Sequence, residues 1–474
     1  MTNWLPDIGT GDGPIYVRLA DRIEQDISAG LLAAGARLPP QRDLAYDLGV
    51  TVGTVGRAYA LMRERGLLSG EVGRGTYVRG RSVEGGRAST PASDESPLTD
   101  GTRLYDAPAE KLRFDSTAAP DVGQSDEIRA LLGAIEREHP AELASYTRRF
   151  PQTWSAAGVS WLARNGFRPS PECIVPTLGV HAGVMAAISA ATAPGDGIAF
   201  EHVTYSQLAR GTRLIGRRTM LVASDEEGVI PEDFERLCAQ RHPKMAFLMP
   251  TAQNPTLSIM PEARRRQIAG IAARHNVLLV EDDLYGALTD DATPLLSTFA
   301  PDRTFLVGGL SKSVAAGVRG GWVLCPPHFT DRVRIAHKMT TGGMPFMLAE
   351  LGARLVLSGA AFAIRKRTIG EINARLALAR AAFGGFDVVS RPNIPFLWLA
   401  LPEPWLSGTF KNAAFEQGVL IDDEDEFKAG RTEQVFHRAR LGISAPRRRE
   451  EVARGLAVIR DLLDGGRAGY DSFG

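Results

Sequence analysis

Residues 308–322 read GGLSKSVAAGVRGGW and set one lysine, Lys312, among glycines, alanines and valines, with Arg319 seven residues later. Lysine is scarce in this chain: the sequence contains 7, so 48 of the 55 basic residues are arginine. Arginine supplies positive charge equally well, but it keeps its proton near neutrality and does not attack carbonyls. A lysine desolvated in a low-dielectric pocket has its pKa lowered, and its neutral amine can then form a Schiff base. A lone lysine more commonly snorkels or pairs with a carboxylate. The chemistry of Lys312 therefore depends on its company.

That company stands at strand ends. Five apolar runs read as strands: ECIVPT (172–177), DGIAFE (196–201), KMAFLMP (244–250), NVLLVED (276–282) and TFLVGG (304–309). They alternate with longer helical patterns, which predicts a mostly parallel α/β sheet. Polar chemistry follows each run directly: LGVH, HVTYS, TAQNPT, DDLYG and LSKS. Ligands of open α/β sheets bind outside the carboxyl ends of the strands, so five such loops describe one site.

In that site the backbone N–H groups of Gly179, Val180 and His181, opening a helix, would face an anion. Arg319 lies in a glycine-rich turn suited to close approach by a phosphate. Asp282 could pair with a protonated ring nitrogen, and Tyr285 and Asn254 with a ring oxygen. Taken singly, Asp282 or Asp283 could cap a helix, and Asn254–Pro255 could be a turn. A lysine, a phosphate cup, an acid for a pyridinium and two phenolate partners together call for pyridoxal 5′-phosphate.

The elements ahead of this region are different. IYVRLADRIEQDISAG (15–30) carries a helical apolar stripe ended by Gly30, PPQRDLAYDLGV is a short helix stopped by Gly49, and a third helix starts at Thr51 as N-cap. LLSGEVGRGTYV (67–78) reads as a hairpin. This is a helix-turn-helix with a wing. Residues 1–80 balance at 9 Arg against 9 acids, but residues 51–80 hold 5 Arg against 2 Glu. Positive charge is thus placed where phosphates would lie, although a three-helix packing module with a solvated arginine face has the same composition.

The composition bounds the rest. At 474 residues, 44% hydrophobic and 23% charged, the chain has an ordinary soluble, globular make-up. Its formal net charge is zero, which by itself points to neither nucleic acid nor an anionic membrane. Cys173, Cys238 and Cys325 lie far apart without metal-type spacing, so they read as free thiols of a reducing cytosol and no metal site is expected. The opening MTNWLPDIGTGDG has neither a basic nor an apolar leader region, and a cytoplasmic location is expected. The apolar run LGVHAGVMAAISAATAP (178–194) is alanine-rich and reads as a buried helix, not a membrane span. Residues 81–112, mostly Ser, Pro, Gly and acids without apolar period, read as a flexible linker between a domain at 1–80 and one at 113–474.

Two resemblances accompany these readings. Residues 35–78 resemble the winged helix-turn-helix of GntR-family bacterial regulators, through LP-x-x-R-x-LA, LGV, TV-x-RAY and GRGTYV. The resemblance implies phosphate contacts from Arg37 and Arg42, and Thr51, Thr54 and Arg57 in the major groove of an operator. Gly73, Arg74 and Gly75 would form the wing tip. Residues from about 113 to 470 resemble fold-type-I pyridoxal-phosphate enzymes of the aspartate-aminotransferase class. The motifs are E-x-x-T-Y (201–205), QNPT (253–256), EDD-x-Y (281–285), SK (311–312), G-x-R-x-G-W (317–322) and RLGIS (440–444).

That second resemblance implies a cofactor held on Lys312 as an aldimine beside Ser311, with phosphate on Arg319 and the ring nitrogen on Asp282. It places Tyr205 against the ring and Arg440 on a ligand α-carboxylate. Tyr146 would reach a phosphate across a homodimer interface. Two departures stand out: Gly309 occupies a place where relatives often carry a phosphate-binding serine, and Leu257 replaces the glycine of NPTG. A GntR-type head joined to such a domain is the arrangement of the MocR subfamily. It implies a regulator that senses an amino acid or amine effector by aldimine exchange at Lys312, without physiological turnover. An active aminotransferase with an appended DNA-binding domain, or a sensor of pyridoxal phosphate itself, are the alternatives.

Overall fold

The structure is a computed structural model that describes residues 4–6, 8, 14–33, 36–65, 67–71, 75–78, 108, 110–164 and 166–473. The chain divides into two compact units, Met1–Glu95 and Ser96–Gly474.

In the first unit, α1 (Ile15–Ser28), β1 (Arg37–Leu38), α2 (Gln41–Asp47) and α3 (Val52–Glu64) precede the hairpin β2 (Leu68–Glu71) and β3 (Gly75–Val78). Val55, Ala58, Tyr59 and Met62 recur at helical spacing on α3 and bury against Leu19 and Ile23 of α1 and Leu44 of α2. Thr51 caps α3 as its position implies: its Oγ1 accepts from the Thr54 N–H at 3.2 Å. Tyr59 donates its hydroxyl to the Pro39 carbonyl at 2.8 Å, which ties α3 to the chain entering α2. The short strand β1, two residues long and without readable alternation, makes the wing three-stranded in the order β1-β3-β2.

The second unit begins with β4 (Leu112–Arg113), so the end of the segment read as linker is already paired structure. Its main sheet uses β5 (Ile174–Leu178), β6 (Gly197–Glu201) and β7 (Arg218–Val222). After a small hairpin, β8 (Ser224–Asp225) with β9 (Gly228–Val229), come β10 (Met245–Leu248), β11 (Leu278–Asp282), β12 (Thr304–Gly309) and β13 (Gly320–Leu324). The order is β5-β13-β12-β11-β10-β6-β7, with β13 antiparallel to both neighbours and every other pairing parallel.

All five expected runs are strands of this sheet, and β6, β10 and β12 are buried along their whole length, which is why they read as unbroken apolar runs. Two strands were not anticipated. β7 is an edge strand opening on an arginine, and β13 is concealed in the glycine-rich motif that follows Arg319. The helix Gly179–Ala191, expected from the alanine-rich run, is largely buried.

A second sheet of β14 (Val388–Val389), β15 (Phe396–Ala400), β17 (Asp422–Asp423) and β18 (Arg438–Gly442) has the order β14-β15-β18-β17, and β16 (Val419–Leu420) pairs in parallel with β4. Among the described residues no single helix is long and apolar enough to cross a membrane, and no His, Cys, Asp and Glu cluster suits a metal ion. Cys173, Cys238 and Cys325 are free and buried.

Candidate functional site

A cavity of about 100 Å³ opens at the carboxyl ends of β5, β10, β11 and β12. Its walls include Val180, His181, Tyr205, Asn254, Asp282, Tyr285, Ser311, Lys312, Arg319 and Arg440, so residues more than 250 positions apart in sequence converge.

Asp282, the last residue of β11, and Asp283 just after it point to opposite sides of the sheet. Asp282 faces the cavity, its Oδ1 accepting from the Leu284 N–H at 3.0 Å. Burial pushes its carboxyl up to about 7, partly countered by that hydrogen bond and by Lys312. Asp283 faces away and takes Arg164 Nη1 at 3.0 and 3.2 Å. Strand alternation thus distinguishes the two carboxylates, which composition alone left equivalent. Next to them, the Tyr285 hydroxyl lies 2.9 Å from Thr117 Oγ1. Thr117 also lines the cavity, and nothing in its local sequence marks it. It arrives because β4 docks on β16 and carries residues 114–119 across the site, where the Ala119 N–H donates to the Ser311 carbonyl at 3.0 Å.

Lys312 sits in the turn after β12 and is only half-buried. The apolar residues around it in sequence do not form its pocket: Val314 and Val318 belong to the core beneath, and the lysine itself faces a polar cavity beside Asp282.

Arg319 is brought to the other end by β13. Gly320 registers with Leu178, so the Arg319 side chain reaches the start of the helix and donates Nη2 to the Leu178 carbonyl at 3.2 Å. Arg319 holds a left-handed backbone, φ 54, and Gly179 one at φ +80. A Cβ on Gly179 would come 3.4 Å from the arginine's Cζ. Gly309 has a related reason. A Cβ there would lie 2.7 Å from the Gly320 carbonyl oxygen and 3.2 Å from Val180, so a serine in its place would collide with the backbone of β13. Tyr205 precedes its own helix and meets His181 edge-on, ring centroids 6.0 Å apart. Burial and nearby Arg319 lower the His181 pKa. Tyr146 is not brought here: it is 90% exposed and lines a separate surface hollow with Lys338 and Met344.

Arg440 is buried in the cavity wall and already engaged. Nη1 donates to Asn254 Oδ1 at 3.0 Å, while Nη2 serves both the Asp115 carbonyl at 3.1 Å and the Asp422 carboxylate. The guanidinium lies 4.8 Å from the ring centre of Phe427.

In the first unit, Thr51 and Arg57 are exposed and Thr54 partly so, on the side of α3 opposite its core face. Arg37 on β1 and Arg42 on α2 are exposed too. Gly75 opens β3, whereas Arg74 lies outside the described residues. Arg65 is a correction to the charge count: it binds Asp21 at 2.7 Å and Glu24 at 2.6 Å on α1, so it braces the fold instead of facing a phosphate.

The donor set suits pyridoxal 5′-phosphate: an amine for its aldehyde, a buried acid for its ring nitrogen, hydroxyl and amide groups for its ring oxygen, and an arginine at a helix start for its phosphate. A helix-turn-helix unit and a transferase-type α/β unit with such a cavity define the class. Comparison with known proteins agrees. The model for aminotransferase class I and II matches residues 151–396, and that for bacterial regulatory proteins of the gntR family matches residues 15–78. The chain belongs to the aminotransferase class I and II family and carries a GntR-type helix-turn-helix ahead of it.

It is 29% identical to the uncharacterized HTH-type transcriptional regulator YdeF of Bacillus subtilis over 464 residues, 98% of this chain and 97% of that one. It is 24% identical over 383 residues to the probable rhizopine catabolism regulatory protein MocR of Rhizobium meliloti, 77% of this chain and 76% of that one, in keeping with the MocR arrangement. Among solved structures, the α-aminoadipate aminotransferase LysN of Thermus thermophilus superposes with a TM-score of 0.67 at 21% identity, covering 75% of this chain and 93% of that one; this likeness concerns the fold.

Proposed function

We propose that this protein is a cytoplasmic DNA-binding transcriptional regulator whose aminotransferase-like unit holds pyridoxal 5′-phosphate and uses it to sense a small amine. The observation carrying this reading is the union, in one chain, of a GntR-type helix-turn-helix with a cavity joining Lys312, Asp282 and Arg319. The relatives named as regulators over nearly the same length support it. When bound, the cofactor supplies an aldehyde carbon that either a lysine or an incoming primary amine can hold.

The chain's own groups do the rest. Lys312 Nζ would hold the cofactor's aldehyde carbon beside Asp282 and is the group an incoming amine would have to replace. Asp282 would pair with a protonated ring nitrogen, and the Thr117–Tyr285 pair and Asn254 would orient the ring oxygen. Arg319 and the helix start at Gly179 would hold the phosphate, a grip that does not depend on Lys312. Thr51, Thr54 and Arg57 read the major groove, with Arg37 and Arg42 on phosphates and Arg74 and Gly75 at the wing. Two chains act together: exposed Tyr146, Phe150, Ile335 and Met339 give a second copy an apolar surface to cover.

The test is the visible absorbance of the full-length protein loaded with the cofactor. The expected result is a lysine-bound band that moves on adding an effector amine and is lost in Lys312→Ala. An unchanged band in that variant would refute covalent anchoring. A second reading, an active aminotransferase with an added DNA-binding unit, is favoured by the intact donor set and requires rapid, repeated formation of keto acid.

A further inference from the structure

The cavity's arginine is matched before any ligand arrives. Register places Asp422 on β17 directly opposite Arg440 on β18, and both side chains are about 1–2% exposed. The nitrogen Nη2 has two protons, and both are used, one on the Asp422 carboxylate and one on the Asp115 carbonyl. A bidentate grip on an incoming carboxylate needs two parallel N–H bonds from one guanidinium, and here Nη2 would have to give up either the Asp115 carbonyl or the Asp422 carboxylate to supply its share. In both cases the Asp422 carboxylate would stand buried beside a second one. The neighbouring cations already serve several carboxylates: Lys411 lies 3.4 Å from Asp423 and 3.3 Å from Glu426, and Arg210 lies 3.5 Å from Glu426.

We infer that the Asp422–Arg440 pair makes the site select primary amines that carry no carboxylate. Asp422 is not itself among the groups lining the cavity; it acts through Arg440 and is a specificity-determining, positioning residue. Arg440, neutralised by its partner, serves the ligand as a wall and as the support of Asn254, to which it donates at 3.0 Å. This inference names the effector class of the sensing site proposed above and rests on that reading of the cavity.

The experiment titrates the cofactor band of the full-length, cofactor-loaded protein with matched pairs: leucine against 3-methylbutylamine, and phenylalanine against 2-phenylethylamine. The expected result is half-saturation by the amine at a concentration at least about tenfold below that of its amino acid, since like charges brought together in a buried site disfavour binding. Asp422→Asn keeps the shape, releases the guanidinium and should bring the amino acid level with the amine or ahead of it. A tighter amino acid in the unsubstituted protein overturns the inference, and so does an amine-to-amino-acid ratio that Asp422→Asn leaves unmoved. Should that variant fail to fold, the ratio in the unsubstituted protein decides. The band reports binding alone. An amine preference without any change in DNA affinity would therefore refute the sensing role and leave the selectivity standing.

Discussion

A carboxyl group buried far from any cation keeps its proton, and Glu201 at the end of β6 shows what that costs. Burial raises its pKa to about 8, with the Gln253 amide at 3.4 Å giving only partial relief. The folded protein thus holds a proton that the unfolded chain, titrating near 4.5, releases. The stability linked to this group is fully present below about pH 4.5 and is lost as pH rises towards 8. Glu201→Gln should remove that loss. The difference in Tm between the variant and the unsubstituted protein should grow in the variant's favour from pH 5 to pH 8.5, as followed by thermal unfolding. A difference independent of pH would show that Glu201 ionises freely. At this scale the sequence is legible where chemistry is written locally. Lys312, Asp282, Tyr285 and Arg319 stand in short motifs and meet in one cavity. Thr117 and Asp422 were not legible, because their roles come from partners more than 15 residues away, through strand docking and register.

Elements explain the positions that departed from their relatives. Gly309 looks in sequence like a missing phosphate donor, but in the sheet it is the residue that lets β12 and β13 approach. Gly309→Ala should destabilise the protein by about 1–3 kcal/mol, the usual range for forcing extra atoms into a packed interior. Denaturant unfolding would measure it, and an unchanged midpoint would mean that the strands yield easily. The same element was the hardest to foresee. A strand that opens on two glycines inside a glycine-rich motif is hard to read, yet β13 is what delivers Arg319 to the start of the helix at Gly179. By contrast, β10, β11 and β12 were plain from their apolar runs, since strands covered on both faces have no polar side to interrupt them. In the first unit α3 was legible for a different reason. Its cap and its stripe of Val55, Ala58, Tyr59 and Met62 are both local signals.

For the whole molecule, the central proposal is that occupancy of the cavity alters DNA binding. The two units could be separated in the sequence because their periodicities and composition differ and a polar stretch divides them. Coupling between them is an energetic quantity that neither unit displays by itself. The most direct measurement is the affinity of the full-length, cofactor-loaded protein for DNA upstream of its own gene, with and without a carboxylate-free amine that moves the cofactor band. Arg57→Ala, which should weaken binding by about 1–3 kcal/mol, serves to establish that the DNA is gripped by α3. The expected result is a change in Kd of roughly 5- to 150-fold on adding the amine, the range of ordinary coupling between two sites. The change should vanish in Lys312→Ala. An amine that saturates the cavity without altering Kd, alongside rapid repeated transamination, would contradict the proposal and make the protein an enzyme instead.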